Sequence, residues 1–382
     1  MSGIHSVFVL NTGSSSVKFR VVNPESGAVS AEGIVERIGE EGSDTPDHRA
    51  AIEHILSGLD TGSFDAVGHR IVHGGERFVR TTLIDDEVER GIEQLSTLAP
   101  LHNPPGLQGI RAARAALPDL PQVAVFDTAF HAGMPEAARS YAIDAAVAAE
   151  HGIRRYGFHG TSYQFVSARA AEFLGRPLDQ LRMIVLHLGN GASAAAIAGG
   201  RSIDTSMGMT PLEGLVMGTR SGDLDPAVLL YLQRTAGMTV DQVDELLNRR
   251  SGLLGLSGHS DMREVVAAAE GGDALAQLAF EVYVHRLRHY LGAYLAILGG
   301  ADAVVFTAGV GENSAAVRAA AVDGLSGLGL EVDAAANAAP SREPRRISPP
   351  GARVDVLVIP TDEELQIARE TAGVLAQGDL RP

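Results

Sequence analysis

The stretch VFVLNTGSSSVKFRVV, residues 7–22, decides the fold assignment. Two apolar runs flank a glycine- and serine-rich turn, and this pattern predicts a β-hairpin. A second stretch, MIVLHLGNGASAAAIA at residues 183–198, repeats the plan. The matching positions Val9 and Val185 lie nearly half of the 382-residue chain apart. Two copies of one strand–turn–strand unit predict a duplicated fold with a ligand cleft between the copies, and two unrelated hairpins are the simpler alternative.

Strand-like runs and helical periodicities alternate along the rest of the chain. Asp241 is predicted to cap a helix, residues 38–48 are predicted to form a surface loop, and residues 334–353 are predicted to be irregular. Strands that alternate with helices favour the α/β class. We predict strands at residues 66–72, 122–126, 303–306 and 354–359, and helices at residues 136–150, 162–174, 226–235, 240–249 and 274–298.

Composition and charge restrict the possible partners. Lysine and arginine total 31 and aspartate and glutamate total 47, so the net charge is −16. We therefore expect neither nucleic acid nor an anionic membrane as a partner. Cysteine is absent, which excludes disulfides and thiolate catalysis and is consistent with a cytoplasmic location. The chain has a single lysine, Lys18, and its place after the Gly-Ser-Ser-Ser turn favours contact with phosphate.

Three glycine-rich turns indicate a nucleotide site. NTGSSSVK at residues 11–18 lacks the spacing of a Walker loop. Its small residues still let backbone N–H groups approach phosphate oxygens, and its hydroxyls and lysine add donors and positive charge. HLGNGAS at residues 187–193 and FTAGVGENS at residues 306–314 are turns of the same kind. Each turn alone is a weak signal, and the three together predict a bound nucleotide.

A second group of motifs indicates a small anionic substrate. Arg70 in GHRIVHGGERF and Arg220 in MGTRSGDLDP are predicted to lie in glycine-flanked turns that a ligand can reach. Asp127 follows an apolar strand, where ligands of α/β sheets bind, and His159 lies beside a glycine turn. An arginine in a turn is often only structural, and an aspartate after a strand is often a helix cap.

The acidic run at residues 362–364 follows a strand and opens a helix. The helix dipole alone explains carboxylates at this position. A carboxylate that holds Mg²⁺ is the functional alternative, because nucleotide sites commonly bind this ion.

Taken together, these segments resemble the acetate kinase family, which belongs to the superfamily of acetate and sugar kinases, heat-shock chaperones and actin. The resemblance implies an α/β fold of two duplicated ribonuclease-H-like, actin-like ATPase domains around a nucleotide cleft. The N-terminal domain would span residues 1–131, with a C-terminal helix at 364–382 returning to it, and the second domain would span 132–363. The matching motifs, in the family's order, are NTGSSSVKF, GHRIVHGGERF, LAPLHNPP, FDTAFHAGMP, YGFHGTS, HLGNGAS, TSMGMTPLEGLVMGTRSGDLDP, TAGVGEN and IPTDEEL.

The resemblance implies reversible phosphoryl transfer from ATP to acetate, giving acetyl phosphate and ADP by direct in-line transfer. It also implies dependence on Mg²⁺ or Mn²⁺, a homodimer, and a place in acetate metabolism and acetyl-CoA biosynthesis. A propionate or other short-chain carboxylate kinase is the close alternative. A non-metabolic ATPase of the actin or chaperone type is the distant one.

Roles for individual residues follow from the resemblance at matching positions. Catalysis would fall to Asp127, His159 and Arg220, and the metal site to Asn11 and Glu363. Acetate would be held by Arg70 and by an apolar wall of Val72, Leu101 and Pro211. The nucleotide would be bound by Ser14, Ser16, Lys18, His187, Leu188, Gly189, Asn190, Gly191, Asp261, Met262, Arg263, Gly309, Val310, Gly311, Glu312 and Asn313.

Overall fold

The structure, a computed structural model, describes residues 3–40, 42–100 and 102–377. The chain divides into two compact units. Unit 1 comprises residues 1–132, 158–165 and 362–382, and unit 2 comprises residues 133–157 and 166–361. The domain limits that the sequence suggested, at residues 131 and 363, stay a prediction, and the end of the predicted C-terminal helix lies outside the described residues.

Unit 1 is built on a six-stranded mixed sheet. Its strands are β1 (Val7–Thr12), β2 (Ser16–Val22), β3 (Val29–Glu36), β4 (Ala66–Ile71), β5 (Thr82–Leu83) and β6 (Gln122–Phe126). They lie in the order β3-β2-β1-β4-β6-β5. The predicted hairpin is confirmed, because β1 and β2 pair antiparallel across the glycine turn. The helices are α1 (His48–Ser57), α2 (Asp86–Gln94), α3 (Asn103–Ala116) and, in chain order the last, α15 (Glu363–Gln377).

Alternation along β1 places two cores on opposite faces of this sheet. Phe8 and Leu10 are buried in a cluster with residues of α1 and α3. Val7 and Val9 are buried on the other face with Ile367 of α15. Gly68 of β4 lets α15 lie close to the sheet, since a Cβ at this position would be 2.7 Å from Thr371 Oγ1 and 2.9 Å from Ile367 Cγ2.

Unit 2 contains a second six-stranded sheet, in the order β11-β12-β10-β7-β8-β9. Each sheet has three antiparallel strands, then two strands added in parallel, then an antiparallel edge strand. This shared order confirms the predicted duplication and the α/β class. The strands are β7 (Arg182–Leu188), β8 (Ala192–Ala198), β9 (Arg201–Thr205), β10 (Ala303–Thr307), β11 (Arg345–Arg346) and β12 (Asp355–Val358).

The long helix α11 (Ala274–Leu298) of unit 2 packs against β7 and β8 of its sheet. Another helix, α6 (Gly160–Leu174), begins in unit 1 and continues in unit 2. Among the described helices, none is both long and apolar enough to span a membrane. The helices are α4 (Glu136–Arg139), α5 (Ala145–His151), α7 (Ala227–Thr235), α8 (Val240–Arg249), α9 (Gly252–Ser257), α10 (Met262–Glu270), α11 (Ala274–Leu298), α12 (Ala308–Asn313), α13 (Ala315–Val322) and α14 (Ala334–Ala338).

Two sequence predictions in unit 2 are wrong in detail. The helix predicted at residues 136–150 is two short helices, because Asp144 accepts from the N–H groups of Ala146 and Val147 and starts α5 anew. Asp241 does not cap α8. Thr239 is the cap, and its hydroxyl and the Gln242 side chain form a reciprocal capping box.

Candidate active site

Three polar side chains form a row across the sheet of unit 1. Asn11 on β1 pairs with Lys18 on β2 and with Arg70 on β4. Directly opposed residues of a sheet share a face. Because Val7 and Val9 face α15, Asn11 faces the same side, where α15 begins at Glu363. Arg70 is therefore a strand residue, and the prediction that it lies in a turn is wrong.

An ion pair fixes the guanidinium of Arg70. Asp127 follows β6, and its N–H donates to the Ile71 carbonyl at 2.9 Å. Arg70 Nε donates to Asp127 Oδ1 at 3.0 Å and Nη2 donates to Oδ2 at 2.7 Å. This bidentate pair occupies one edge of the guanidinium. The other edge of the guanidinium consists of Nη1 and the second Nη2 proton, and both can still donate to a ligand. Nη1 lies 3.5 Å from Asn11 Oδ1.

Two glutamates in the first turn of α15 complete this cluster. The Glu363 carboxylate lies 3.7 Å from Arg70 Nε. Glu364 forms an ion pair with Lys18 Nζ at 2.5 Å. The acidic run at residues 362–364 was a candidate metal site, and the family resemblance named only Glu363 within it, so the ion pair of Glu364 was not predicted. Lys18 thus has a carboxylate partner that a phosphate group would have to share or displace.

The charges of this cluster are strongly coupled. Burial raises the pKa of Glu363 above its usual range, and Asp127 adds to the effect while Arg70 opposes it. Burial disfavours the charge on Arg70, but Asp127 and Glu363 outweigh it and raise the pKa of the guanidinium. Burial also acts on Glu364, yet Lys18 lowers the pKa of that carboxyl below its usual range.

The donor chemistry of the cluster fits Mg²⁺. Among the described residues, no group of three or more His, Cys, Asp or Glu side chains is arranged to hold a metal ion by itself. Mg²⁺ does not need such a cage, because it usually takes one or two carboxylates and completes its shell with water and substrate phosphate. The Asn11 amide oxygen and the Glu363 carboxylate, both beside Arg70, are oxygen donors of this kind.

Other predicted residues of unit 1 lie around the same cluster or near it. His159 has a φ of 58° and directly precedes α6, and the Gly160 N–H donates to the Asp127 carbonyl at 3.0 Å. Val72 is half-buried directly after β4. Leu101 lies outside the described residues. Ser14 and Ser16 lie in or beside the β1–β2 turn, which a hydrogen bond from the Gly13 N–H to the Ser16 carbonyl closes at 2.8 Å.

Residues of the matching motifs to which the resemblance assigned no role also support this region. Thr161 Oγ1 donates to Asp127 Oδ1 at 3.4 Å. Asn103 of α3 is fully buried and exchanges two hydrogen bonds with the backbone of His73. His69 is buried and bonded to Gln122, and burial lowers its pKa to about 4. His69 is therefore neutral at physiological pH, in agreement with a structural role.

Unit 2 contains a cavity of about 830 Å³. This volume is typical of a site for a small molecule or cofactor. The Gly189 N–H donates to the Gly191 carbonyl at 3.1 Å, and the Gly218 N–H donates to the Asn190 carbonyl at 3.0 Å. The tight turn after β7 is thereby held at the cavity wall. Of the predicted nucleotide residues, the cavity is lined by Gly189, Asn190, Asp261, Met262, Arg263, Gly309, Val310 and Asn313.

The remaining predicted residues of these loops have other surroundings. Leu188 is fully buried in the sheet core. Glu312 accepts from the N–H groups of Ala308 at 2.8 Å and Thr361 at 3.2 Å, so its carboxylate holds the start of α12. Asp261, which does line the cavity, caps α10 and pairs with Arg263. This pairing lowers the Asp261 pKa to about 2. The residues absent from the cavity lining are His187, Leu188, Gly191, Gly311 and Glu312.

Gly218 lines the cavity, and the sequence did not assign it a role. A Cβ at this position would lie 1.9 Å from Asn190 Oδ1 and 2.9 Å from the Ser260 carbonyl oxygen. We expect Gly218→Ala to raise the KM for the predicted nucleotide at least tenfold, because the Asn190 turn must move, and a tenfold change needs only ~1.4 kcal/mol. The matched control is Gly292→Ala on α11, where a Cβ meets no atom within 4 Å. Equal KM values in steady-state assays of both variants would contradict this assignment.

Arg220 is a half-buried cation without a carboxylate partner in the described part of the chain. Its Nη1 donates to the Pro211 carbonyl at 2.7 Å. Burial lowers its pKa from the usual value, but an arginine stays protonated at physiological pH. A guanidinium whose charge is not neutralised by a carboxylate is available to an anionic ligand.

The sequence model of the Acetokinase family matches residues 6–369. The chain belongs to the acetokinase family. An acetate kinase from Leifsonia xyli subsp. xyli is 57% identical to this acetokinase over 395 residues, which covers 98% of this chain and 100% of the relative.

Solved structures of acetokinases have the same fold. The Porphyromonas gingivalis acetate kinase matches with a TM-score of 0.92 at 45% identity, covering 97% of this chain and 99% of that one. A propionate kinase from Francisella tularensis subsp. tularensis matches with a TM-score of 0.91 at 41% identity, covering 96% and 99%. The family resemblance drawn from the motifs is confirmed. As an acetokinase, this chain is a phosphotransferase that uses ATP and has a carboxyl group as acceptor.

Proposed function

We propose that this acetokinase transfers the γ-phosphoryl group of ATP to acetate, reversibly, giving acetyl phosphate and ADP. The observation that carries the proposal is the Arg70–Asp127 pair. Asp127 fixes one edge of the guanidinium, and the other edge can take a small carboxylate in a bidentate manner. Half-buried Val72, two residues away, provides apolar surface for a methyl group. Leu101 and Pro211 are proposed to complete this apolar wall.

Acetate needs no general base. A carboxylic acid with a pKa of about 4 is already ionised at neutral pH. The chemical difficulty is the repulsion between this anion and the phosphates of ATP. Asp127 therefore serves to orient Arg70 and not to remove a proton. The motif comparison listed Asp127 only as catalytic, and its ion pair with Arg70 supports the narrower task of orienting the guanidinium.

ATP and ADP are proposed to bind in the cavity of unit 2. Its walls carry backbone that can approach a nucleotide closely at Gly189, Gly218 and Gly309. Asp261 and Arg263 at the start of α10 are proposed to lie beside the adenosine. Lys18 is proposed to contact the phosphates, with Glu364 holding its ammonium group in place until then.

Charge stabilisation is the proposed source of catalysis. Phosphoryl transfer places negative charge on the equatorial oxygens of the moving group, with the attacking and leaving oxygens in line. Preoriented cations in a site that excludes water stabilise this charge most effectively. We assign this task to Arg220, which is half-buried without a carboxylate partner among the described residues, and to His159.

The proposed metal ligands are Asn11 and Glu363, for Mg²⁺ or Mn²⁺. When bound, the ion would neutralise phosphate charge and thereby favour attack by the acetate anion. Ion pairs within the chain hold the side chains around this site. Arg70 lies beside Asp127 and Glu363, and Lys18 lies beside Glu364.

Substrate dependence tests this function directly. ADP release is measured with ATP and Mg²⁺, with and without acetate, and acetyl phosphate is trapped as its hydroxamate. We expect both products only with acetate, and loss of both when a chelator removes the ion. ATP turnover that does not depend on acetate would instead favour an ATPase of the actin or chaperone type.

Specificity constants for acetate, propionate and butyrate separate the close alternative. One methylene in an apolar pocket discriminates by only ~1–3 kcal/mol. We therefore expect propionate to be a poorer substrate by roughly tenfold to a hundredfold. A propionate kinase is the second candidate, because the Francisella tularensis propionate kinase is nearly as similar in fold as the acetate kinase structure. A higher specificity constant for propionate would establish that alternative.

We also propose a cytoplasmic homodimer with small-molecule partners only. Leu275, Leu278 and Val282 are exposed at a spacing that places them on one face of α11, and a second copy of the chain would cover them. The lack of cysteine supports a reducing compartment. The net charge of −16 disfavours nucleic acid and anionic membranes.

A further inference from the structure

The segment that carries Pro211 and Arg220 has no regular secondary structure. It runs from residue 206, after β9, to residue 223, before α7. Backbone hydrogen bonds hold the turn around Arg220, where the Ser221 N–H donates to the Leu247 carbonyl at 3.1 Å and the Ser251 N–H donates to the Thr219 carbonyl at 2.9 Å. Side chains hold other parts of the segment. The residues that hold it therefore determine where the guanidinium of Arg220 lies. We name residues 206–223 the arginine segment.

Asp223 closes the C-terminal half of the arginine segment into a loop. Its Oδ1 accepts from the Gly214 N–H at 2.8 Å, and its own N–H donates to the Gly214 carbonyl at 3.0 Å. Its Oδ2 accepts from the Tyr290 hydroxyl at 2.8 Å, with Arg286 Nη1 at 3.4 Å. Tyr290 and Arg286 belong to α11, so the base of the loop is tied to the longest helix of unit 2.

Glu213 fixes the other half of the arginine segment. Arg155 Nη2 donates to Glu213 Oε1 at 2.5 Å, and the Tyr141 hydroxyl donates to Oε2. Arg155 Nη1 also donates to the Ser206 carbonyl at 3.1 Å. The segment is thus held at its start and at its middle, and Asp223 holds its end.

The partners of Asp223 have an electrostatic consequence for Arg220. Asp223 is the carboxylate nearest to Arg220 in the sequence, three residues away. An ion pair between them would neutralise the guanidinium and compete with a phosphoryl group. Both oxygens of Asp223 are engaged elsewhere, and Arg220 forms no ion pair with any described residue. Tyr290 donates to this carboxylate across the accessible pH range, because burial and Asp223 raise its pKa.

We propose that Asp223 and Tyr290 are positioning residues for Arg220. The Tyr290 hydroxyl and the Gly214 N–H hold the Asp223 carboxylate away from the guanidinium and close the loop that presents it. The inference rests on the proposed function of Arg220 in phosphoryl transfer. Neither Asp223 nor Tyr290 needs to touch a substrate in this arrangement, so both act on turnover through Arg220.

The first test is Tyr290→Phe, which removes only the hydroxyl group that donates a hydrogen bond to Asp223. We expect kcat to fall about tenfold, because the Asp223 carboxylate loses the hydrogen bond that the Tyr290 hydroxyl donates to it. The KM values for ATP and acetate should change less than twofold. Asp223→Asn should have at least the same effect. The matched controls are Tyr231→Phe, at a tyrosine 65% exposed on α7, and Asp241→Asn, at an exposed aspartate on α8. Unchanged kcat in both test variants would overturn the inference.

A double-mutant cycle separates positioning from general stability. Tyr290→Phe is combined with Arg220→Ala, and kcat and thermal midpoint are measured for all four proteins. If Tyr290 acts through Arg220, the added loss of kcat from Tyr290→Phe is below about twofold in the Arg220→Ala background. A full tenfold loss in that background would overturn the inference. Unchanged turnover in Arg220→Ala alone would instead refute the proposed function of Arg220.

Discussion

Arg220→Ala is expected to lower kcat for acetyl phosphate formation about 10³-fold, the loss typical of removing one preoriented donor from a transition-state charge. The KM values for ATP and acetate should change less than about threefold, because the charge that Arg220 meets develops only during transfer. The physical basis is its environment: the guanidinium is half-buried, its Nη1 donates to the neutral Pro211 carbonyl, and no described carboxylate neutralises it. Initial rates over a matrix of both substrate concentrations provide kcat and both KM values.

The control for this prediction is Arg249→Ala, which removes an exposed arginine of α8. Its kcat should equal that of the unmodified protein. Arg220→Lys keeps the positive charge but loses the planar fork, so an intermediate kcat is expected. Equal kcat for Arg220→Ala and Arg249→Ala would show that the Arg220 guanidinium takes no part in transfer.

Local patterns were sufficient to predict most of the fold. The hairpin at residues 7–22 and its second copy could be recognised because strand–turn–strand units have a short-range signature. Gln122–Phe126, Val240–Arg249 and Ala274–Leu298 have the bounds that apolar periodicity predicted. Capping was less predictable, since Thr239 and Asp241 are both plausible caps and only the geometry of the Gln242 side chain decides between them.

The candidate site depends on contacts between distant parts of the sequence, which local patterns cannot provide. Arg70 and Asp127 are 57 residues apart, and they meet because β4 and β6 are parallel neighbours with Ile71 opposite Phe126. Lys18 and Glu364 meet because α15 packs on the face that β1 and β2 share. The motif comparison named Arg70, Asp127 and Lys18 individually. It did not indicate that Arg70 and Lys18 each already have a carboxylate partner.

The nucleotide loops illustrate a second limit of sequence reasoning. The turn after β7 was correctly identified, but the motif could not tell which of its residues face the cavity. Leu188 ends a central strand that is covered on both faces, so it is buried in the core like the residues before it. Gly189 and Asn190 leave the strand and line the cavity. The decisive factor is where the strand ends, which depends on pairing with β8.

Arg70→Ala is the prediction with the second large effect. We expect the KM for acetate to rise about a hundredfold, because the bidentate cation that holds the carboxylate is lost, at ~1.5–3 kcal/mol per hydrogen bond to a charged group. Removing one partner of a largely buried ion pair also leaves Asp127 and Glu363 without their shared cation, and Arg70 is only 18% exposed. The free energy of unfolding should therefore fall by about 3 kcal/mol.

The loss of stability in Arg70→Ala should depend on pH in a defined direction. Burial already raises the pKa of Glu363, and Arg70 is the group that opposes this shift most strongly. Without Arg70 the pKa rises further, so the folded protein binds more protons than the unfolded chain at pH values above the ordinary glutamate pKa of about 4.3. Stability then decreases as the pH rises through this window and is regained as the pH falls. Denaturation midpoints between pH 5 and pH 8 should thus differ most from those of the unmodified protein at pH 8.

Arg111→Ala is the matched control for Arg70→Ala, since Arg111 also bridges two carboxylates, Glu89 and Glu93, but lies on the surface of α3. Surface pairs contribute ~0–1 kcal/mol, and we expect neither the acetate KM nor the pH dependence of stability to change appreciably. Arg70→Lys should restore stability more than acetate affinity, because an ammonium supplies charge to Asp127 and Glu363 but cannot bind one carboxylate while donating bidentately to another. An Arg70→Ala protein with an unchanged acetate KM would remove the basis for placing the substrate at this guanidinium. The same protein with a pH-independent loss of stability would show that Glu363 does not depend on Arg70 for its charge.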